Sequence, residues 1–230
     1  MGVMAASIAH EVNQPLAAVI TNANAGLRWL ANAEPDLDEV RAILDRIVNN
    51  GHRAGAVVTG IRSMFRKDAG ELGPVSVNGL IREVLSIVRG ELESHQVSLQ
   101  TELREGLQTV MAEQTQLQQV LLNLIMNAVD AMSAITDRDR VLIVKSETDQ
   151  SNHVAITVED SGIGIQPEQM NRIFEAFYTT KPHGMGMGLS ICRSIIESHG
   201  GKLSVSTRSP HGSIFCAKLP TITTEHTSSR

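Results

Sequence analysis

Between Ala5 and Phe65 the apolar residues recur at alternating steps of four and three, and they do so in two runs. The first run is Ala5, Ala9, Val12, Leu16, Val19, Ala23, Gly26 and Leu30. The second is Leu37, Val40, Leu44, Ile47, Gly51, Ala54, Val58, Ile61 and Phe65. A heptad seam sustained for about four repeats excludes strands and specifies two helices. Between the runs, "NAEPDLDE" supplies a turn, with Pro35 and Asp36 suited to a helix start. A lone helical hairpin of this size buries too little to be stable. The expectation is therefore a homodimer in which two hairpins form a four-helix bundle. The first helix starts abruptly, as though something upstream had been cut away.

After "RKDAGELGP" the period changes. The segments "VNGLIREVLSIVRGELESH" and "EQTQLQQVLLNLIMNAVDAM" read as amphipathic helices, whereas "QVSLQTEL", "RVLIVKSET", "HVAITVED", "KLSVSTRS" and "SIFCAKLP" alternate as strands do. Helices and strands interleave without a regular βαβ rhythm, which predicts an α/β sandwich: a mixed sheet with helices on one face. The organisation expected is a helical domain over 1–68, a linker over 69–74, an α/β domain over 75–220 and a frayed tail over 221–230. Composition excludes several function classes. The formal net charge of -5 argues against a nucleic-acid-binding surface, and no apolar run approaches the roughly 20 residues of a membrane span. No signal peptide opens the chain. Cys192 and Cys216 lack metal or redox spacing and are expected to be buried thiols in a reducing cytosol.

Four segments of the second half carry chemistry. "LLNLIMNAVDAM" puts Asn123 and Asn127 four apart on one helical face, where a carboxamide oxygen is a hard ligand suited to Mg²⁺. "VEDSGIGI" runs a strand into Asp160, Gly162 and Gly164, whose glycines let the backbone turn and approach a flat ligand. Asp160 there can accept a hydrogen bond from an exocyclic amine such as adenine's; an Asx turn is the plainer reading. In "IFEAFYTTK", Phe174 and Phe177 can anchor a loop and Lys181 can reach a phosphate, against the plainer reading of a core aromatic pair and a solvated lysine. "GMGMGLS" places Gly184, Gly186 and Gly188 ahead of a helix, where backbone amides cradle anionic oxygens. Each motif alone is weak. Their order is specific.

In that order they resemble the catalytic ATP-binding domain of sensor histidine kinases, within the gyrase and heat-shock-chaperone ATPase superfamily, over roughly residues 75 to 220. The first half is similar to the dimerisation and phosphotransfer domain of the same kinases. The wording "HEVNQPLAAV" and "FYTTKPHGMGMGLSI" looks most like the soluble kinases with upstream PAS sensors, such as the oxygen sensors of nitrogen-fixing bacteria. The resemblance implies ATP and Mg²⁺ as cofactors, a cytoplasmic location, a response-regulator receiver domain as partner, and an upstream sensor domain absent from this chain. It implies that Asn127 chelates Mg²⁺ with Asn123 supporting the phosphates, and that Asp160 reads adenine in a pocket shaped by Gly162 and Gly164. By the same resemblance Gly184, Gly186 and Gly188 edge a mobile lid, with Lys181 near the phosphates. Two departures stand out. Asp130 follows the second Asn where some relatives carry a basic residue, and the lid is little more than "YTTKPH".

The helix "ASIAHEVNQPLAAV" then acquires a purpose. His10 follows the seam residue Ala9, so the heptad turns it outward, available as a neutral nucleophile near pH 7. Glu11 can accept the departing ring proton or hold the tautomer, which agrees with the family's acidic neighbour. Gln14, one turn on, matches the position that relatives link to aligning water for removal of phosphate from the regulator, with Asn13 its competitor. Pro15 lacks an amide hydrogen and crowds the Glu11 carbonyl, so a local bend is expected there. His52 and His199 receive no catalytic role. Two rivals remain: a clamp ATPase, which needs a water-activating Glu in the Asn-box helix where Gln116 to Gln119 offer none, and a degenerate dimeric signalling scaffold.

Overall fold

The computed structural model describes residues 2–32, 34, 36–65, 72–149, 151–180 and 186–221, with side chains described throughout except at 2–14, 49, 52, 53 and 55–65. The chain divides into two compact units, Met1–Lys67 and Asp68–Arg230.

The first unit is a helical hairpin of α1 (Gly2–Leu30) and α2 (Leu37–Phe65). Helix α2 starts where the sequence places it, because Asp36 Oδ1 accepts from the amides of Asp38 (3.1 Å) and Glu39 (3.0 Å). Asp38 and Glu39 in the first turn suit the helix dipole. Helix α1 runs through Pro15 without interruption. The expected single seam is instead two faces. Among the described side chains of the hairpin the deepest is Ile43, 1% exposed and absent from the heptad run, packed where Gly26 leaves room; a Cβ on Gly26 would lie 3.3 Å from Ile43 Cγ2. Seam residues Leu16, Leu30, Leu37 and Leu44 are exposed, as are Ile20, Leu27 and Val48. One hairpin can bury only the stripe that faces its sister helix, which leaves these seven side chains bare.

The second unit is α/β. Its elements are β1 (Gly73–Val75), α3 (Val77–Ser94), β2 (Ser98–Leu103), β3 (Val110–Ala112), α4 (Gln114–Met132), β4 (Val141–Thr148) and β5 (His153–Asp160), then α5 (Gly188–Ser198), β6 (Lys202–Thr207) and β7 (Ser213–Pro220). Short 3-10 turns cover Pro167–Gln169 and Arg172–Phe174. Strands in the order β2-β4-β5-β7-β6 form one mixed sheet. Only β2 and β4 are parallel, and the crossover joining them contains α4. The paired strands β1 and β3 are three residues each, too short for alternation to reveal.

Alternation decides the two faces of the sheet. Leu142 and Val144 of β4, Val154, Ile156 and Val158 of β5, and Phe215, Ala217 and Leu219 of β7 share one core with α3, α4 and α5. All three helices therefore cover one face, as the sequence predicts. The opposite face carries a charged ladder in which Lys145 Nζ meets Glu159 (3.0 Å) and Glu102 (3.3 Å). Cys192 lies in the core as expected, whereas Cys216 is only half-buried, because its register partners Thr157 and Ser204 put it on the open face. His199 ends α5: its Nδ1–H donates to Ile195 O (2.7 Å) and its Nε2 accepts from Glu113 N (3.0 Å) at the start of α4. Among the described residues no helix is long and apolar enough to cross a membrane.

Candidate nucleotide site

Asp160 is the last residue of β5, and only 2% of it is exposed. Its Oδ1 accepts from Gly162 N (2.8 Å) and from Ser213 N at the start of β7 (3.3 Å). The first bond is an Asx turn, so the plainer reading of the motif is present in the structure. It engages one oxygen of a carboxylate that can accept several bonds. Burial raises the Asp160 pKa, opposed by the two amides and by the charge of Arg208.

The turn that follows is tightly enclosed. A Cβ on Gly162 would stand 2.6 Å from the Ala131 carbonyl of α4, and Gly164 has φ +74° with Gly212 O 3.2 Å from where its Cβ would be. Ile163 donates its amide to Ala131 O (3.2 Å) while its side chain is 74% exposed. Gly212, at φ +107°, passes so close to the Asp160 carbonyl that no side chain could replace its hydrogen.

Asn123 and Asn127 lie half-buried on α4. The Cys192 thiol of α5 donates to the Val120 carbonyl of α4 (3.9 Å), and burial pushes its pKa up to about 12, opposed by the nearby Asn123 side chain, so it stays protonated. Four residues before Asn123, the Gln119 side-chain nitrogen is the one buried side-chain polar atom without a hydrogen-bond partner among the described residues.

The two phenylalanines separate in role. Phe174 packs against the core beneath the Arg193 guanidinium, 5.5 Å from the ring centre. Phe177 is 49% exposed, so the pair is not a core aromatic pair. Phe177 holds a left-handed φ of 69°, costly for an aromatic residue, and donates its amide to Gly186 O (3.0 Å). Gly186, at φ +66°, lies against the Tyr178 carbonyl where a Cβ would collide. Gly188 opens α5, and nothing lies within 4 Å of where its Cβ would be. Lys181 and Gly184 lie outside the described residues. So do the side chains of His10, Glu11 and Gln14, whose backbone is helical within α1.

Four residues that contribute to this region escape sequence reading. Arg138, between α4 and β4, donates from Nε to Ser161 O (3.2 Å) and from Nη2 to Gly162 O (3.2 Å). Ser161 Oγ donates to Asp139 O (2.8 Å) and accepts from Val141 N (2.8 Å). Gly212 and Ser213 reach Asp160 from the β6–β7 turn; "SPHGS" signals a turn but not its target.

Comparison with known proteins agrees with this geometry. Residues 112–223 match the family described as histidine kinase-, DNA gyrase B-, and HSP90-like ATPase, and residues 1–70 match the His Kinase A (phospho-acceptor) domain. The catalytic domain of the histidine kinase ThkA superposes with a TM-score of 0.59 at 35% identity, covering 66% of this chain and 97% of that one. The chain belongs to the sensor histidine kinase family. Among curated family members, the sensor histidine kinase TmoS of Ectopseudomonas mendocina is 38% identical over 96% of this chain. The sensor protein FixL of Bradyrhizobium diazoefficiens is 36% identical over the same share. This histidine kinase chain spans 23% of TmoS and 43% of FixL, so it matches less than half of either. ThkA in complex with its response regulator protein TrrA matches 96% of this chain and 61% of the other, with a TM-score of 0.67 at 29% identity.

Proposed function

We propose that the chain is the catalytic core of a cytoplasmic sensor histidine kinase that binds Mg²⁺-ATP and phosphorylates His10. The observation that carries the reading is a buried, strand-ending Asp160 in a glycine turn beside the Asn-bearing helix. Such a carboxylate, fixed by two amides, suits an amine donor on a flat base, and the close-packed glycines leave space that side chains would fill. Asn127, with Asn123 beside it, is assigned to hold Mg²⁺. No group of three His, Cys, Asp or Glu among the described residues forms a cation cage, so a cation here would take other ligands from phosphate oxygens and water. Bound Mg²⁺ supplies charge neutralisation on the transferring phosphate. The unpartnered Gln119 nitrogen leaves a donor on the same helix for an acceptor-only phosphate chain. Gly184, Gly186, Gly188 and Lys181 are assigned to the phosphates, and Phe177 to the neighbouring loop.

In the reaction the bond between the γ-phosphorus and the ADP oxygen breaks while a bond forms to the His10 ring nitrogen. Glu11 takes the ring proton. The phosphoryl group then passes to an aspartate of a response regulator, a partner supported by the ThkA–TrrA complex. Gln14 is assigned to orient water for the reverse, phosphatase, direction. The bare face of the hairpin supports a second copy as its cover; a PAS-type sensor is assigned to the length of relatives such as TmoS and FixL that this chain does not span. Incubation with γ-labelled ATP should give an acid-labile, alkali-stable label that vanishes in His10→Gln; a label retained in that variant refutes the site.

A further inference from the structure

Successive carbonyls at the end of a strand, past the last ladder pair, need donors from elsewhere. The β4–β5 ladder ends at the pair Leu142–Asp160, and the next carbonyls, Ser161 O and Gly162 O, both point to Arg138. Arg138 Nη1 is held by its neighbour Asp137 at 3.1 and 3.2 Å, so the guanidinium is fixed from both sides. Asp160 Oδ1 depends on the position of Gly162 N, which shares a peptide group with the Ser161 carbonyl and precedes the Gly162 carbonyl. Ser161 is already tied to Val141 and Asp139, and Ile163 N to Ala131. The Ser161 and Gly162 carbonyls are the points in this turn that the Arg138 side chain secures.

We propose that Arg138 is a positioning residue for nucleotide binding, whose planar fork fixes the Asp160–Gly162 turn so that the Asp160 carboxylate meets the base at one angle. The proposal rests on the reading of this turn as the adenine site. Only a guanidinium offers two donors in one plane at fixed separation; an ammonium reaches one carbonyl at a time. Arg138 is spent on the Ser161 and Gly162 carbonyls and on Asp137, so its loss should act on affinity and base selection rather than on the chemical step. The sheet register and the bonds of the Ser161 hydroxyl do not include it, which keeps the effect local.

The test is titration of the full chain with ATP and GTP, alongside initial rates of His10 labelling and thermal melting. Arg138→Gln should raise the Kd and KM for ATP about tenfold. It should leave the rate at saturating ATP within about twofold, and lower the preference for ATP over GTP. Arg138→Lys should fall between, with a melting temperature within about 4 °C of the parent. ATP binding by Arg138→Gln at the parent Kd overturns the proposal, as does weakened binding with base preference intact. Should Arg138→Gln not fold, Arg138→Lys decides: a Kd raised about threefold or more supports the role and an unchanged one removes it. Asp160→Asn separates the two layers. If the parent chain binds no ATP, the nucleotide reading fails and takes this role with it. If Asp160→Asn loses ATP while Arg138→Gln keeps it, only the role of Arg138 fails.

Discussion

Asp160 serves two ends that oppose each other. Its burial favours the neutral acid and raises its pKa, yet an ionised carboxylate is the better acceptor for an amine. A folded-state pKa above the unfolded value means the folded chain holds the proton more tightly. Stability from this group is then present below the unfolded pKa and is lost as pH rises through the folded one. Asp160→Asn removes that loss. It should bind ATP at least about tenfold more weakly while melting no lower than the parent at pH 7. Its melting advantage should grow as pH rises above the ordinary aspartate pKa of about 4; calorimetry over a series of pH values checks the sign. Gly212→Ala should behave in the opposite way, costing roughly 3 kcal/mol or more through a left-handed φ and collision with the Asp160 carbonyl. Urea unfolding measures that cost. At this scale the sequence exposes Asp160, a strand-ending acid followed by spaced glycines, because the signal is local. Ser213 and Arg138 reach the same turn from 53 and 23 residues away, and no local pattern carries such a meeting.

Elements were legible in proportion to their period. The alternation in "HVAITVED" and "SIFCAKLP" placed β5 and β7 closely, since a strand with one buried face must alternate. The heptads located α1 and α2 but not their faces, because a seam shared among several helices does not say which partner covers which residue. Ile43 and Leu44 separate the two cases, at 1% and 55% exposed. Ile43→Ala should cost roughly 3 kcal/mol and lower the melting temperature of the hairpin. Leu44→Ala should leave the hairpin helical by circular dichroism and weaken self-association by sedimentation. The β4–β5 turn offers a third test. Asp149 takes the amides of His153 and Ser151 and the ammonium of Lys218, which together hold its pKa down at about 2. A depressed folded pKa gives stability above the unfolded value that is lost as pH falls toward about 2. Asp149→Asn should therefore be less stable than the parent at pH 7 and indistinguishable from it near pH 2, as acid titration of the circular dichroism signal would show.

For the whole molecule, the order of motifs identified the family because four weak signals in fixed succession seldom coincide. That order could not reveal how the α4–β4 connection and the β6–β7 turn converge on one carboxylate. The division at Lys67 suggests a separation of labour: a fragment of residues 68–230 should bind ATP with the affinity of the full chain yet acquire no label of its own. Adding residues 1–67 as a separate chain should restore labelling of His10 only weakly, since the two pieces then meet by diffusion. The bare stripe of Leu16, Ile20, Leu27, Leu44 and Val48 has a consequence of another kind. If a second copy covers it, melting temperature and yield of phosphohistidine per molecule both fall on dilution. The number of copies in the cell then enters the output alongside the stimulus, and a scarce kinase is silent before any signal is read.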